Sequence, residues 1–378
     1  MRDAVIVEAI RTPVGKRNGG LSGIHPADLS AHVLTHLVDR AGVDPAHVED
    51  VIWGCVSQIG EQTYDIARTA VLTAGWPETV TGVTVDRQCG SSQQSVHFAA
   101  AGLVAGHYDM VVAGGVESMS RVAMGSSVAG QQPYPETFQA RYGTPHQGIG
   151  AEVIAEKWGL SRTRLDDYAL RSHERAAGAQ DEGRFDAELA PVQATGGTVT
   201  TDEGVRRGGT VESLAALKTP FKEGGVISAG NASQISDGAA ALLMTTGEKA
   251  RELGLTPLAR VHSVALAGAD PVLMLTAPIP ATQKVLARSG LRVDDIGAFE
   301  VNEAFAPVPL AWLADLGADE ARLNPLGGAI ALGHPLGASG ARLMTTLVHH
   351  MRSEGLRYGL QTVCEAGGQA NATILELL

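Results

Sequence analysis

The sequence predicts an α/β fold with a buried sheet, and three observations carry that prediction. Short apolar runs alternate with segments of helical periodicity in the first third of the chain. Two stretches of the last third echo two of the first, in the same order. Glycine accounts for 46 of 378 residues and aromatic residues for only 4%, which favours close backbone packing over an aromatic-rich β-sandwich.

Residues 4–7 and 51–53 read as strands. Between them, Pro26 to Arg40 places Leu29, Val33, Leu37 and Val38 at helical spacing. Residues 83–85, 94–106 and 110–113 repeat the order strand, helix, strand. From about 116 to 234 the pattern changes to Gly-, Pro- and Gln-rich stretches with two helices, at 151–159 and 162–178. This reads as an inserted loop domain, where substrate contacts usually lie. The first echo pairs Ala41-Gly42-Val43-Asp44, running into Val48–Ile52, with Ser289-Gly290-Leu291-Arg292, running into Val293–Ile296. The second pairs Asp109–Gly115 with Gln361–Gly368. A duplicated α/β unit is expected.

Composition excludes whole classes of function. With 29 Lys+Arg against 41 Asp+Glu the net charge is −12, the wrong sign for a nucleic-acid binder. Hydrophobic residues at 44% and charged ones at 19% describe a globular chain. No apolar run reaches the roughly 18 residues that a membrane span needs, so no membrane partner is expected. The N-terminal run is too short for a signal peptide, and the last residues carry neither a peroxisomal tripeptide nor a prenylation box; a cytoplasmic protein is expected. Cys55, Cys89 and Cys364 lie far apart and outside any CxxC, so neither a disulfide framework nor a structural metal site is expected.

Two residues stand out chemically. Cys89, in Val85-Asp86-Arg87-Gln88-Cys89-Gly90-Ser91-Ser92, follows a strand and precedes a helix, with Gly90 for a tight turn and Ser91 or Ser92 as cap. The free N–H groups and dipole of that helix would favour its thiolate. A buried structural cysteine is the equally weighted alternative. His334, between Gly333 and Pro335, has a restricted backbone and could take a proton from a thiol. Without such a partner it would simply cap a glycine turn. Cys364, before Gly367-Gly368, would by itself be assigned to the core. G-x-S-x-G, H-E-x-x-H, the Walker A loop and a complete G-x-G-x-x-G are all missing from the sequence, which removes the support for serine hydrolase, zincin, P-loop and Rossmann readings.

Six ordered blocks resemble a thiolase, an acyl-CoA:acetyl-CoA C-acyltransferase, over essentially the whole chain. They are Arg11–Gly15, Arg87–Ser91, Gly114–Ser120, Gly230–Ser233, Asn302–Phe305 and Gly327–Pro335. The resemblance implies a duplicated βαβαβαββ unit in a five-layered αβαβα core with an inserted loop domain. It divides the chain into an N-terminal half (1–117 with 235–255), a loop domain for substrate binding and oligomerisation (118–234) and a C-terminal half (256–378). It implies ping-pong cleavage of a 3-ketoacyl-CoA, with Cys89 as nucleophile, His334 as its base, Cys364 as the acid/base on the α-carbon and Asn302 holding an oxyanion water. The backbone N–H groups of Cys89 and Ala366 would form the second oxyanion site. Free CoA is a cosubstrate and no permanently bound cofactor is implied. Arg206 in Asp202–Arg206, Ser233 and His146 match the family's CoA contacts. For the phosphates, Arg206, Arg207, Lys218 and Lys222 are the candidate cations. The partners implied are acyl-CoA and CoA, with a homodimer or homotetramer as the assembly.

Several departures bear on specificity. Ala366 stands where the family usually has glycine, and a left-handed backbone there would cost roughly 1 kcal/mol or more. Gln147 replaces a methionine common in short-chain biosynthetic members, and Met274-Leu275-Thr276-Ala277-Pro278 replaces a Met-Gly-x-Gly-Pro pattern; Cys364-Glu365-Ala366-Gly367-Gly368-Gln369-Ala370-Asn371 differs from the acetoacetyl-CoA form and looks more like degradative enzymes. Two alternatives share this fold: a decarboxylating 3-ketoacyl synthase, which the second cysteine argues against, and a non-catalytic acyl-CoA or lipid binder, which retention of all four chemical residues argues against.

Overall fold

Two copies of one strand–helix pattern carry the sheet in the computed structural model, which describes residues 2–378. The first runs β1 (Val5–Arg11), α1 (Pro26–Ala41), β2 (Asp50–Gly54), α2 (Ile66–Thr73), β3 (Thr81–Val85), α3 (Ser91–Ala105) and β4 (Met110–Ser118). The chain then leaves the sheet, forms α4 (Gln147–Lys157) and α5 (Arg162–Asp181) among shorter elements, and returns as β5 (Ser236–Thr245). The second copy runs β6 (Ala259–Gly268), α6 (Pro278–Ser289), β7 (Ala298–Val301), α7 (Pro307–Leu316), α8 (Ser339–Glu354), β8 (Tyr358–Glu365) and β9 (Gln369–Leu377). The counterpart of β3 shrinks to one parallel bridge, Phe299 to Leu323.

The first half pairs in the order β3-β2-β4-β5-β1 and the second in the order β6-β9-β8-β7. A short antiparallel contact, Val5 to Arg260 and Ile6 to Ala259, links the two through β1 and β6. In both copies a proline opens the first helix and a left-handed glycine closes it, Gly42 at φ 66° and Gly290 at φ 74°. A single 3₁₀ turn then feeds the next strand, Pro45–His47 in one copy and Val293–Asp295 in the other. The first echo is thus a true repeat. The second holds for the strands but not for the register. β4 begins at Met110 and β8 at Tyr358, so Gly114-Gly115 sit inside a strand whereas Gly367-Gly368, at φ 87° and 77°, turn β8 into β9. The two glycine pairs do different physical jobs.

Three apolar clusters fix the layering. Leu29, Val33 and Leu37 of α1 and Val71 of α2 cover the outer face of the first half-sheet with Val51 and Val112. Val96 and Leu103 of α3 and Met344 and Leu347 of α8 lie between the half-sheets, against Ile6, Ile52, Leu242, Ala298 and Leu375. Val285 of α6 and Trp312 of α7 cover the far face with Phe299, Leu360 and Ile374. The result is helices, sheet, helices, sheet, helices. Each fully buried Leu or Val contributes about 1.5–3 kcal/mol. The inserted segment shares the third cluster through Ile154, Leu165 and Tyr168, and so packs on the second half.

Arg11, at the end of β1, is fully buried and holds the return path of that segment. Its Nε meets Glu188 at 2.6 Å, and Nη1 and Nη2 meet the two oxygens of Asp202 at 2.6 and 3.0 Å. Arg11→Ala would leave two carboxylates buried without a counter-charge. The expected loss is about 3–5 kcal/mol in urea unfolding, with the Asp202–Arg206 stretch loosened. A loss below about 1 kcal/mol would show that this pair is not structural.

Candidate functional site

The turn carrying Cys89 is built differently from what its sequence suggests. Gly90 is the N-cap of α3 with φ −91°, so no left-handed conformation requires a glycine there. A Cβ at Gly90 would instead collide with the Glu365 side chain and crowd the Asn371 amide. The left-handed residue is Gln88 at φ 48°, just before the nucleophile candidate, with its N–H donated to Asp86 Oδ1 at 2.7 Å. Neither serine caps the helix. Ser91 Oγ donates to the Gln88 carbonyl and accepts from Arg87 N–H, closing the turn on itself. Ser92 Oγ accepts from Ala341 N–H at 2.9 Å, tying α3 to α8.

His334 arrives on the segment between the short helix Ala329–Leu332 and α8. Two buried carboxylates clamp that segment. Glu303 accepts from Ile330 N–H, Tyr168 Oη, Ser172 Oγ and Asn324 Nδ2. Glu117 accepts from Gly337 N–H, Val56 N–H, Ser57 N–H and Gln62 Nε2. Between them, His334 N–H donates to Ser236 Oγ at 3.1 Å. The carbonyl of Gly337 lies against Gly54 and Gly115, where any side chain would collide. The imidazole tautomer follows from its neighbours. Ser339 Oγ gives its proton to the Pro335 carbonyl, so it accepts from His334 Nδ1–H at 2.6 Å. Nε2 keeps its lone pair, 3.3 Å from Asn302 Nδ2.

Asn302 and Cys364 stand at the ends of neighbouring parallel strands: Asn302 N–H bonds the Thr362 carbonyl at 3.1 Å. Asn302 Oδ1 is buried without a donor, the position from which a water could be held. Cys364 is 1% exposed, and burial, then a charge on Cys89, pushes its thiol up, which holds it protonated. Asn371, two residues into β9, donates its amide to the Gly90 carbonyl at 2.9 Å and binds the Cys89 turn to the second half. Ala366 is not left-handed; the positive φ angles fall on Gly367 and Gly368, so alanine is accommodated without strain.

Electrostatics oppose the thiolate expected from the helix start. Burial, then Glu365, pushes Cys89 up to about 12, against a lowering by its own backbone N–H. Burial, then Arg342, pulls His334 down to about 3. The resting thiol and imidazole are therefore both neutral.

Of the CoA-contact candidates, Ser233 and Arg206 come together on one cleft of about 600 Å³, joined there by Lys16 and Arg17. The sequence reading missed these last two; their signal was the basic pair after Gly15. Arg207 is instead paired with Asp181 at 2.7 Å and Lys222 with Glu156 at 3.2 Å. Ser233 is fixed by its N–H on the Ala304 carbonyl, beside the Asn302 strand end. His146 does not line that cleft. It caps α4 through Nδ1 and stands 5.5 Å from the Phe221 ring, which meets Phe305 edge-on at 6.1 Å.

Two family models match the chain: the thiolase N-terminal domain over residues 4–248 and the thiolase C-terminal domain over 255–377. The steroid 3-ketoacyl-CoA thiolase FadA6 of Mycobacterium tuberculosis is 50% identical over all of this chain and 95% of its own. A 3-ketoacyl-CoA thiolase of Pseudoalteromonas translucida is 44% identical, covering 100% of this chain and 99% of its own. Among solved structures, the acetyl-CoA acetyltransferase of Bacillus anthracis superposes with a TM-score of 0.92 at 38% identity, over 100% of this chain and 99% of that one.

A neutral resting pair has a measurable consequence. Alkylation of Cys89 by iodoacetamide in the free protein should be slow at pH 7 and rise on the alkaline side. Ser339→Ala, which leaves Nδ1–H without an acceptor and frees the ring to change tautomer, should lower turnover about tenfold or more. Unchanged turnover in that variant would remove the tautomer argument.

Proposed function

The chain belongs to the thiolase family, and from that premise we propose that it cleaves a 3-ketoacyl-CoA with free CoA, giving acyl-CoA and acetyl-CoA through an acyl-Cys89 intermediate. The observation that carries the assignment is that the Cys89 turn, bonded through Asn371 to the strand paired with the Cys364 end of β8, and the Asn302–His334 pair, bonded to Thr362 of that same β8, converge on one seam between the halves.

The chemistry balances with these groups alone. His334 Nε2 takes the Cys89 proton as the sulfur attacks the 3-keto carbon. Backbone N–H groups of Cys89 and Ala366 receive the oxyanion. The Cα–Cβ bond breaks, and its electron pair becomes the acetyl-CoA enolate, stabilised by His334 and by a water on Asn302 Oδ1. Cys364 gives the α-carbon its proton. CoA then enters, its thiol proton restores Cys364, and its sulfur takes the acyl group. The departing Cys89 sulfur recovers its proton from His334.

The same proposal includes a degradative direction, in keeping with the names of the two relatives, and the division into 1–117 with 235–255, 118–234 and 256–378, which β4 and β5 bracket. Among the described residues, no helix is long and apolar enough to cross a membrane; a cytoplasmic setting is proposed, in keeping with three free cysteines. Assembly as a homodimer or homotetramer is supported by the free edge of β3, where Val83 is 44% exposed, and by Phe98 and Val104 of α3, each 48% exposed.

Cys364→Ala tests the division of labour. It should still form acyl-Cys89 from acetyl-CoA, fail to exchange the α-hydrogens of acetyl-CoA with deuterated solvent, and lose cleavage. Normal exchange in the variant would return Cys364 to the core. Arg206→Ala and Ser233→Ala should raise KM for CoA and for every acyl-CoA by similar factors; strongly chain-length-dependent effects would move both residues to the acyl pocket.

A further inference from the structure

One buried acid has no part in the reaction just described. Glu365 ends β8 immediately after Cys364, is fully excluded from solvent, and neither of its carboxyl oxygens meets a hydrogen-bond donor. A buried carboxylate would ordinarily hold two or three donors. The group lies against the nucleophile's turn: Oε1 occupies the space that a Cβ on Gly90 would take, and Arg87 Nη1 stands 4.0 Å from Oε2. Neighbouring donors are turned elsewhere. Arg87 Nη1 donates to Gln369 Oε1 at 3.1 Å, and the Asn371 amide donates to the Gly90 carbonyl.

We propose that Glu365 is a positioning residue that sets the pH range over which Cys89 becomes a thiolate, by being present as a neutral acid when the nucleophile is formed and as an anion when it is suppressed. The inference rests on the reading of Cys89 as nucleophile. An anion at Glu365 faces both cysteines and opposes a negative charge on either. A proton on Glu365 removes that opposition. Burial keeps the proton on up to about pH 8, with Arg87 favouring its loss and Asp86 opposing it. The other charged groups facing Cys89 are Asp86 and Glu117, both of which oppose the thiolate; Cys364 faces it from β8, and Arg342 faces His334 from α8. Near neutral pH the acid is a neutral neighbour. Above about pH 8 it becomes a like charge beside the nucleophile, so the gain in thiolate with rising pH is held back.

The test is the iodoacetamide alkylation rate of Cys89 in the full chain from pH 6 to 10, read by mass spectrometry, which needs no substrate. In wild type the rate should climb in two stages, with a flattening near pH 8. Glu365→Gln should climb as a single titration, matching wild type within about twofold at pH 6.5 and exceeding it about tenfold at pH 9.5. Glu365→Asp should keep the two-stage curve. Glu365→Leu, an apolar residue of similar bulk, should behave as Gln does and carries the test if the amide disturbs folding. A single titration in wild type, or superimposable curves for wild type and either neutral variant, overturns the proposal. A rate gain equal at all pH values also overturns it, since that would be an effect of shape rather than charge. Failure of wild type to cleave 3-ketoacyl-CoA would overturn the assigned reaction while leaving this measurement intact.

Discussion

The segment that carries His334 is pinned at both ends by buried carboxylates, Glu303 at Ile330 and Glu117 at Gly337, and the rest of the site depends on that clamp. Each carboxylate takes four donors, so each gathers separate stretches of chain around one anion. Glu117 lies at the end of β4 in the first half, and Glu303 comes just after β7 in the second. The imidazole is therefore referenced to both halves at once. Side chains are excluded where the Gly337 carbonyl meets Gly54 and Gly115, so the seam closes backbone to backbone. A loop fixed this way does not need a rigid sequence of its own.

Burial shapes the chemistry as strongly as geometry does. A surface Cys–His pair could rest as thiolate and imidazolium; here removal from water drives both groups toward neutrality. Charge then forms only as the reaction uses it. In the proposed reaction the proton leaves Cys89 as sulfur bonds to carbon, and the imidazolium so created meets a developing oxyanion in a low-dielectric space, where their attraction is greatest. The same burial keeps Cys364 protonated, the form that the proposed proton delivery to a carbanion would use. A site that opposes resting charge also resists alkylation and oxidation between turnovers, because the thiolate is the reactive form.

How much was legible in the sequence depended on the range of the contact involved. The helix on Pro26–Ala41, the strands and the first echo come from local periodicity, a proline start and a left-handed glycine, all within one element. Cys89 and His334 were singled out from the residues themselves because strand-to-helix turns and Gly–Pro brackets are local signals. Cys364 was not, since a cysteine near a strand end is chemically silent until the opposing thiol is placed by tertiary structure; only the family resemblance singled it out. Other features were misread for the same reason. Gly90 looks like a turn glycine but is a contact glycine, because Glu365 lies 275 positions away in sequence yet adjacent in space. Ser91 and Ser92 look like caps, but one closes the turn and the other bonds α8. Lys16 and Arg17 gained meaning only when β1 and the stretch before β5 were folded onto one cleft.

Duplication explains why the site is composite rather than repeated. The two copies end equivalent strands at the same seam, but the residues placed just beyond those strand ends differ. Beyond β2 stands Cys55, fully buried, its thiol driven far up by burial and by Glu117, and so inert. Beyond β7, in the equivalent place, stands Asn302, whose amide meets His334 and whose oxygen remains free for a water. The first copy's third helix begins at the Cys89 turn, and the second copy's begins just beyond the His334 segment. In the proposed reaction each copy supplies one partner of the Cys89–His334 proton transfer, and neither supplies both. Different residues at the strand ends, on strands that keep the same arrangement, are what would let a symmetric scaffold hold the one acid, one base and one nucleophile of the proposed reaction.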